Sequence, residues 1–414
     1  MNIDFYVNEF INIWENSRTT FPFEGDGIEL SEKLKREEGM INFSKRMKGN
    51  ANLKDRSSHE KAKFAQQLMT NLGAFFKSSF DYTDQEVSII VNRGFSNVTK
   101  EFMLMARRFD PSVKIDDIFQ ASRNLWIINS LQIMMERPVE ISNSIFAYSM
   151  LYPYSDNYLD DPAISKAEKL AFSQRFRYRL QGKSVIATNE REKNIFDLVA
   201  LIEGDWDRQK YPAVYESLLA IHDAQTKSIL LLNDKSKLTE SDLLEICIEK
   251  GGTSVLADGY LIKGTLSKEE EWFCFGFGTY LQFADDIQDL DEDLSGELQT
   301  LFTHSVATGQ IDEFVNRTLS FGHRVLNDLS CFAANDLNSM SKMMIKSVNF
   351  LLIEAIGLGD KWFPENYVKQ IENHSPFRFE FVKKRKSNLD QNRISFMKML
   401  ESYIFDEASV ALKA

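Results

Sequence analysis

At 414 residues the chain is long enough for one large helical domain or two fused ones. Hydrophobic residues at 43% and charged residues at 27% exclude a disordered chain, and 8 Pro with 19 Gly are too few for a turn-rich β architecture. A net charge of −12 with no segregated basic patch argues against nucleic acid as a partner. The cysteines Cys247, Cys274 and Cys331 lack paired or CxxC spacing, so neither a disulfide framework nor a zinc site is expected and a reduced cytoplasm is the expected compartment. Met1–Trp14 carries Asp4 and Glu9 without a basic region, unlike a secretory signal, and no run of about 18 apolar residues is long enough to cross a bilayer.

In chain order, residues 1–57 read as an irregular N-terminal lead-in with short helices, polar from residue 15 and Lys/Arg-rich from Lys33 to Arg56. From Ser58 onward apolar residues recur every three or four positions, as in Ile118, Ala121, Leu125, Ile128 and Leu131. The pattern predicts helices over about 60–80, 84–108, 116–136, 140–160, 165–181, 191–207, 211–232, 240–250, 268–293, 311–332 and 336–357. One all-α domain over 58–360 is expected, with 361–414 as a helical tail packed on it. Asp116-Asp117 opens a predicted helix, where carboxylates favour the helix dipole. His222, Gln225 and Ser228 share one face of theirs, read as an ordinary polar face. Phe377–Lys386 alternates aromatic and basic residues and reads as a solvated end, with contact to anionic lipid as the other reading.

Two acidic clusters carry the chemistry. The first is Asp156-Asn-Tyr-Leu-Asp160-Asp161, with Asp156 and Asp160 one turn apart at the end of a helix that Pro162 stops. The second follows a capping box, Ser267 and Glu270, which starts a helix at Lys268. Along it Gln282, Asp285, Asp286, Asp289 and Asp293 share a face, after an apolar run of Trp272, Phe273, Phe275, Phe277, Tyr280, Leu281 and Phe283. Two carboxylates about 5 Å apart repel by roughly 3 kcal/mol at an effective dielectric near 20, so a cavity-lining acidic face demands cations. Hard oxygen donors beside a phosphate suit Mg²⁺. Arg175 and Arg179 share a face shortly after the first cluster. Gripping a diphosphate and surface ion pairing are both open to them.

The stretch Gly278-x-x-x-Gln282-x-x-Asp285-Asp286-x-x-Asp289 resembles the second aspartate-rich motif of the trans-isoprenyl diphosphate synthases. Lys250-Gly-Gly-Thr-Ser-Val-Leu-Ala-Asp-Gly-Tyr and Gly296-x-Leu-x-x-Leu-Phe are more similar to the bacterial large-terpene, class IB, synthases such as tetraprenyl-β-curcumene synthase. The first cluster is similar to that group's short DYLDN-like string. Over roughly residues 60–360 the resemblance implies an isoprenoid synthase-type bundle of about a dozen helices around a deep apolar cavity. It implies Mg²⁺, three ions of it, held by Asp156, Asp160, Asp285 and Asp289 with Asp161 and Asp286 in support. It also implies a diphosphate contact at Lys250, with Gln282, Arg175 and Arg179 as further diphosphate residues.

The implied activity is ionisation of an allylic prenyl diphosphate of C15 to C25 and cyclisation or elimination to a terpene hydrocarbon. A prenyl diphosphate synthase or head-to-head prenyltransferase is the enzymatic alternative, although the Arg-Arg pair that follows the first motif of chain elongators is replaced here by Pro162-Ala-Ile-Ser-Lys. A non-catalytic helical partner subunit is the alternative of another class. A transient membrane-surface contact and a homodimer are left open as partners.

Overall fold

The computed structural model describes residues 1–49, 58–161, 163–229 and 238–387, among which helices are the regular structure and no strand occurs. The first helices are α1 Ile3–Glu15, α2 Leu30–Gly49, α3 Ser58–Phe80, α4 Asp84–Asn92, α5 Phe95–Phe109 and α6 Ile115–Met134. There follow α7 Asn143–Asp160, α8 Lys166–Leu180, α9 Glu190–Asp205, α10 Pro212–Ser228, α11 Glu240–Lys263 and α12 Lys268–Gln288. The last are α13 Leu290–Ser295, α14 Leu301–Thr308, α15 Ile311–Asn327, α16 Leu337–Leu358 and α17 Glu365–His374. The all-α class is therefore observed. Pro162 as a helix stop, the basic stretch at 50–57, the end of the 211–232 helix and the tail beyond 387 lie outside the described residues.

Local chemistry sets many of these boundaries. Ser267 accepts from the Glu270 amide at 3.2 Å while the Glu270 carboxylate takes the Ser267 amide at 2.9 Å, the reciprocal box expected before α12. The same device starts α4 at Thr83, α8 at Ser165 and α11 at Thr239. Asp116 and Asp117 lie in the first turn of α6, as the dipole argument requires. The predicted 84–108 helix is broken in two because Gly94 takes φ +98°, a left-handed conformation that no helix interior contains.

Two expectations are corrected. The lead-in is not irregular: it forms the 13-residue α1 and the 20-residue α2. And α11 does not stop at Gly251-Gly252 but runs on to Lys263, capped by Gly264 at φ +73°. The mid-helix glycines are there for packing. A Cβ on Gly251 would lie 2.5 Å from the Cβ of Gln282, and one on Gly278 would lie 2.1 Å from the Gly251 carbonyl oxygen. Gly259 likewise meets the Cys274 sulfur, so residue numbers fall along α12 as they rise along α11 and the pair is antiparallel.

The chain divides into two compact units. One comprises Met1–Pro22 and Gln120–Leu337. Its core includes an aromatic seam in which Trp14 packs on Phe283 at 4.3 Å between ring centres, Phe10 on Phe275 at 5.5 Å and Phe321 on Phe283 at 5.5 Å. Each such pair adds about 0.5–1.5 kcal/mol beyond its burial. The other unit comprises Phe23–Phe119 and Asn338–Ala414. Its core gathers Met40, Phe75, Phe377 and Val382, and the start of the expected tail is anchored there by the Arg378–Glu37 ion pair at 2.7 Å. Among the described residues no helix is long and apolar enough to cross a membrane.

Candidate active site

The second acidic cluster lies at the C-terminal end of α12 and in α13. Asp289 interrupts the helix, yet the i to i+4 ladder survives: the Asp289 amide donates to the Asp285 carbonyl at 2.9 Å and the Asp293 amide to Asp289 at 2.8 Å. Asp285, Asp289 and Asp293 thus stand one turn apart on one face. Asp286 is held from two sides. The Gln282 amide nitrogen donates to one carboxylate oxygen at 2.8 Å, and the Cys247 thiol of α11 to the other at 3.2 Å.

Electrostatics records the crowding. Burial pushes Asp286 up to about 6, against the Gln282 hydrogen bond and the Lys250 charge, which pull it down. Asp289 is also pushed up to about 6, by desolvation and then by the charges of Asp285 and Glu292. Asp293 rises to about 8 by desolvation reinforced by Asp286, Asp289 and Asp285. Asp285 is raised by burial despite Lys250 and Arg123. Lys250, half-buried on α11, therefore does stand within electrostatic reach of the cluster, and Arg123 of α6 joins it. Arg123 was not legible in the sequence, where a single arginine on an amphipathic helix carries no signal.

The first cluster ends α7. Asp156 is buried, at 7% exposure, and its Oδ1 accepts from Gln225 of α10 at 2.8 Å and from the Ser155 hydroxyl at 3.1 Å. Asp161 is the C-cap and accepts the Ala163 amide at 2.8 Å, while the side chain of Asp160 lies outside the described residues. Two residues beyond Gln225, Lys227 bridges Glu245 and Glu249 of α11 at 2.6 and 2.7 Å. Between those glutamates sits Cys247, the partner of Asp286. Gln225 and Lys227 of α10 thus contact the first cluster and α11 respectively, and Cys247 of α11 contacts the second.

Other candidates go elsewhere. Arg175 binds Glu192 and Arg179 binds Glu203, with a carboxylate–guanidinium contact of 2.7 Å in the latter. Of the two readings the arginines allowed, ion pairing is the one present, across α8 and α9. His222 packs inward with its Nε2 3.2 Å from the Ser173 hydroxyl, and burial pushes it down to about 4. Phe273, Phe275, Phe277, Tyr280 and Phe283, the apolar run ahead of the second cluster, are buried core side chains, several stacked on the rings of α1 and α15. An open cavity of about 450 Å³ lies by Phe5, Tyr6, Trp272 and Asp328, at the opposite end of α12. Thirteen residues of helix separate Trp272 from Asp285, roughly 20 Å. Asp258, which sequence reasoning passed over, is fully buried on α11, accepts from Asn124 at 3.0 Å and is held well above the usual carboxylate range by desolvation.

Among the described residues, no three His, Cys, Asp or Glu side chains converge so as to hold a metal ion by themselves. The donor chemistry nonetheless suits Mg²⁺, which takes one or two carboxylates and completes its shell with water and substrate phosphate. Asp285, Asp286, Asp289 and Asp293 are all raised first by burial, and Asp289 and Asp293 further by the charges of their neighbours. No protein-family model matches this chain, and no curated protein matches it.

Proposed function

We propose that the chain is a Mg²⁺-dependent class I terpene synthase of the isoprenoid-synthase type, which ionises an allylic prenyl diphosphate of about C15 to C25 and releases diphosphate as the cation is cyclised or deprotonated to a hydrocarbon. The observation that supports the reading is the carboxylate cluster of α12 and α13, raised by burial and with Lys250 beside it, together with a second buried aspartate, Asp156, held at the end of α7 by Gln225 of α10. In this reading Asp285, Asp289 and Asp156 would hold Mg²⁺, with Asp160 added by the resemblance. When bound, the metal withdraws electron density from the leaving diphosphate.

The chain's own groups do the rest. Gln282 and Cys247 fix Asp286 behind the outward face, so its charge attracts cations while its oxygens stay engaged. Lys250 offers a point charge to the diphosphate oxygens, on which charge grows as the C–O bond breaks. Arg123 lowers the repulsion between a trianionic headgroup and Asp285 and Asp289. Arg175 and Arg179, neutralised by glutamates, contribute to the α8–α9 contact instead.

The test is incubation with C10 to C25 prenyl diphosphates, read by pyrophosphate release and by gas chromatography of the extract. Release and hydrocarbon should require Mg²⁺ and vanish in chelator. Isopentenyl diphosphate added alongside should yield no longer diphosphate. Turnover undiminished in excess chelator would sink the two-cluster mechanism.

A further inference from the structure

The open cavity at the first turn of α12 takes no part in the chemistry proposed for the other end of that helix. Its volume of about 450 Å³ falls in the range of small-molecule sites, roughly 300–1,000 Å³. Three of its lining rings meet at angles instead of stacking. Trp272 and Phe5 lie 6.5 Å apart between centres and are inclined at 51°, Trp272 and Tyr6 6.3 Å and 56°, Phe5 and Tyr6 5.5 Å and 72°. The Tyr6 hydroxyl donates to Glu271, so its polar tip is already engaged. Phe5 is 50% exposed and Trp272 half-buried, an aromatic surface that α1 and α12 leave open.

Charge decides what such a surface takes. Glu269 and Asp328 line the cavity together with Lys268, whose ammonium lies 2.7 Å from Glu271. Three carboxylates thus stand against one ammonium. An anion, a prenyl diphosphate included, is repelled there. A small metal ion keeps its water shell and makes no use of the rings. A neutral hydrocarbon gains nothing from the carboxylates. A bulky, weakly hydrated cation gains from both: the rings attract it through their quadrupoles, and the acids raise its local concentration.

We propose that this cavity binds a free organic cation bearing a quaternary ammonium group, held by Phe5, Tyr6 and Trp272 and attracted by Glu269 and Asp328. The probes are choline and its neutral isostere dimethylbutanol, in which carbon replaces the nitrogen. Each is titrated into the full chain by calorimetry without Mg²⁺ or pyrophosphate, with a melting curve for every variant. Phe5→Leu removes the exposed ring and keeps an apolar side chain. Glu269→Gln/Asp328→Asn removes both charges from exposed positions. Trp272 is left unchanged because it also packs on buried Phe10, at 4.6 Å.

Wild type should bind choline at least about fivefold more tightly than the isostere. Phe5→Leu should weaken choline about fivefold and leave the isostere within about twofold. The double variant should weaken choline about threefold. No binding of choline, equal affinity for the two probes, or unchanged choline affinity in either folded variant overturns the inference. Should Phe5→Leu not fold, the charge variant decides by itself. Phosphatidylcholine carries the same ammonium group beside a phosphate that the carboxylates repel, so vesicles of that lipid should not carry the chain upward in flotation. Co-flotation that Phe5→Leu abolishes overturns the free ligand in favour of a membrane.

Discussion

Lys250 shows how a residue changes meaning once its neighbours are in place. Before Gly251-Gly252 it reads as the last residue of a helix, where an ammonium simply caps free carbonyls. In the folded chain it stands mid-helix, with no carbonyl terminus to cap, three residues from the Cys247 that holds Asp286. Lys250→Ala should therefore lower the rate of single-turnover pyrophosphate release by roughly 30- to 150-fold, the equivalent of a charge-assisted hydrogen bond of about 2–3 kcal/mol. Lys250→Arg should recover only part of it, since a planar fork does not replace a compact charge. A folded alanine variant within about twofold of wild type would return the lysine to the surface.

His222 makes a separate prediction about stability. Its folded pKa, pushed down to about 4, lies below the ordinary value of 6.5. Above 6.5 neither state binds the proton and the histidine costs nothing. As pH falls from 6.5 towards 4 the unfolded chain takes up a proton that the folded chain refuses, so stability is lost, by about 3 kcal/mol in the limit. His222→Gln can keep a contact with Ser173 and cannot titrate. Urea unfolding at pH 7 and pH 4.5 should show a smaller acid loss in the variant, and equal losses would count against a buried neutral imidazole.

At the scale of elements, α11 and α12 are joined by glycines that a propensity argument treats as breakers. Gly278→Ala would place a methyl group 2.1 Å from a backbone oxygen, which cannot rotate away, so the helices must separate. A loss of at least about 1–3 kcal/mol in denaturant unfolding is expected. Wild-type stability in that variant would mean the two helices do not approach so closely. The capping box at Ser267 was legible because both partners sit within four residues, and those at Ser165 and Thr239 follow the same local rule. The run-through at Gly251-Gly252 was not, because its cause is 27 residues away on another helix. Nor was the role of α1: a short polar-flanked segment gives no sign that Phe10 and Trp14 will complete the core around Phe275 and Phe283.

For the molecule as a whole, an acidic face raised by burial, and at Asp289 and Asp293 also by neighbouring charges, is a destabilising element that a cation should relieve. The charged forms cost stability in full above about pH 8 for Asp293 and about pH 6 for Asp286 and Asp289, so the metal-free chain should gain from these groups as pH falls from 8 towards the ordinary value of 3.8. Mg²⁺ with inorganic pyrophosphate should raise the melting temperature at pH 7.5, by the equivalent of about 2.7 kcal/mol at a hundredfold excess over the dissociation constant. Asp285→Asn/Asp289→Asn should abolish that shift while leaving the metal-free protein as stable as wild type or more so. An unchanged shift in the double variant would place the cation elsewhere. The sequence by itself determined what is local in the chain: the helical class, the caps and the carboxylates spaced one turn apart, all set by periodicities of three and four residues. Only the tertiary structure decided which helix ends meet. Gln225 reaches Asp156 across 69 positions and Cys247 reaches Asp286 across 39, and such pairings follow from how apolar faces and glycine seams pack, which no local pattern encodes.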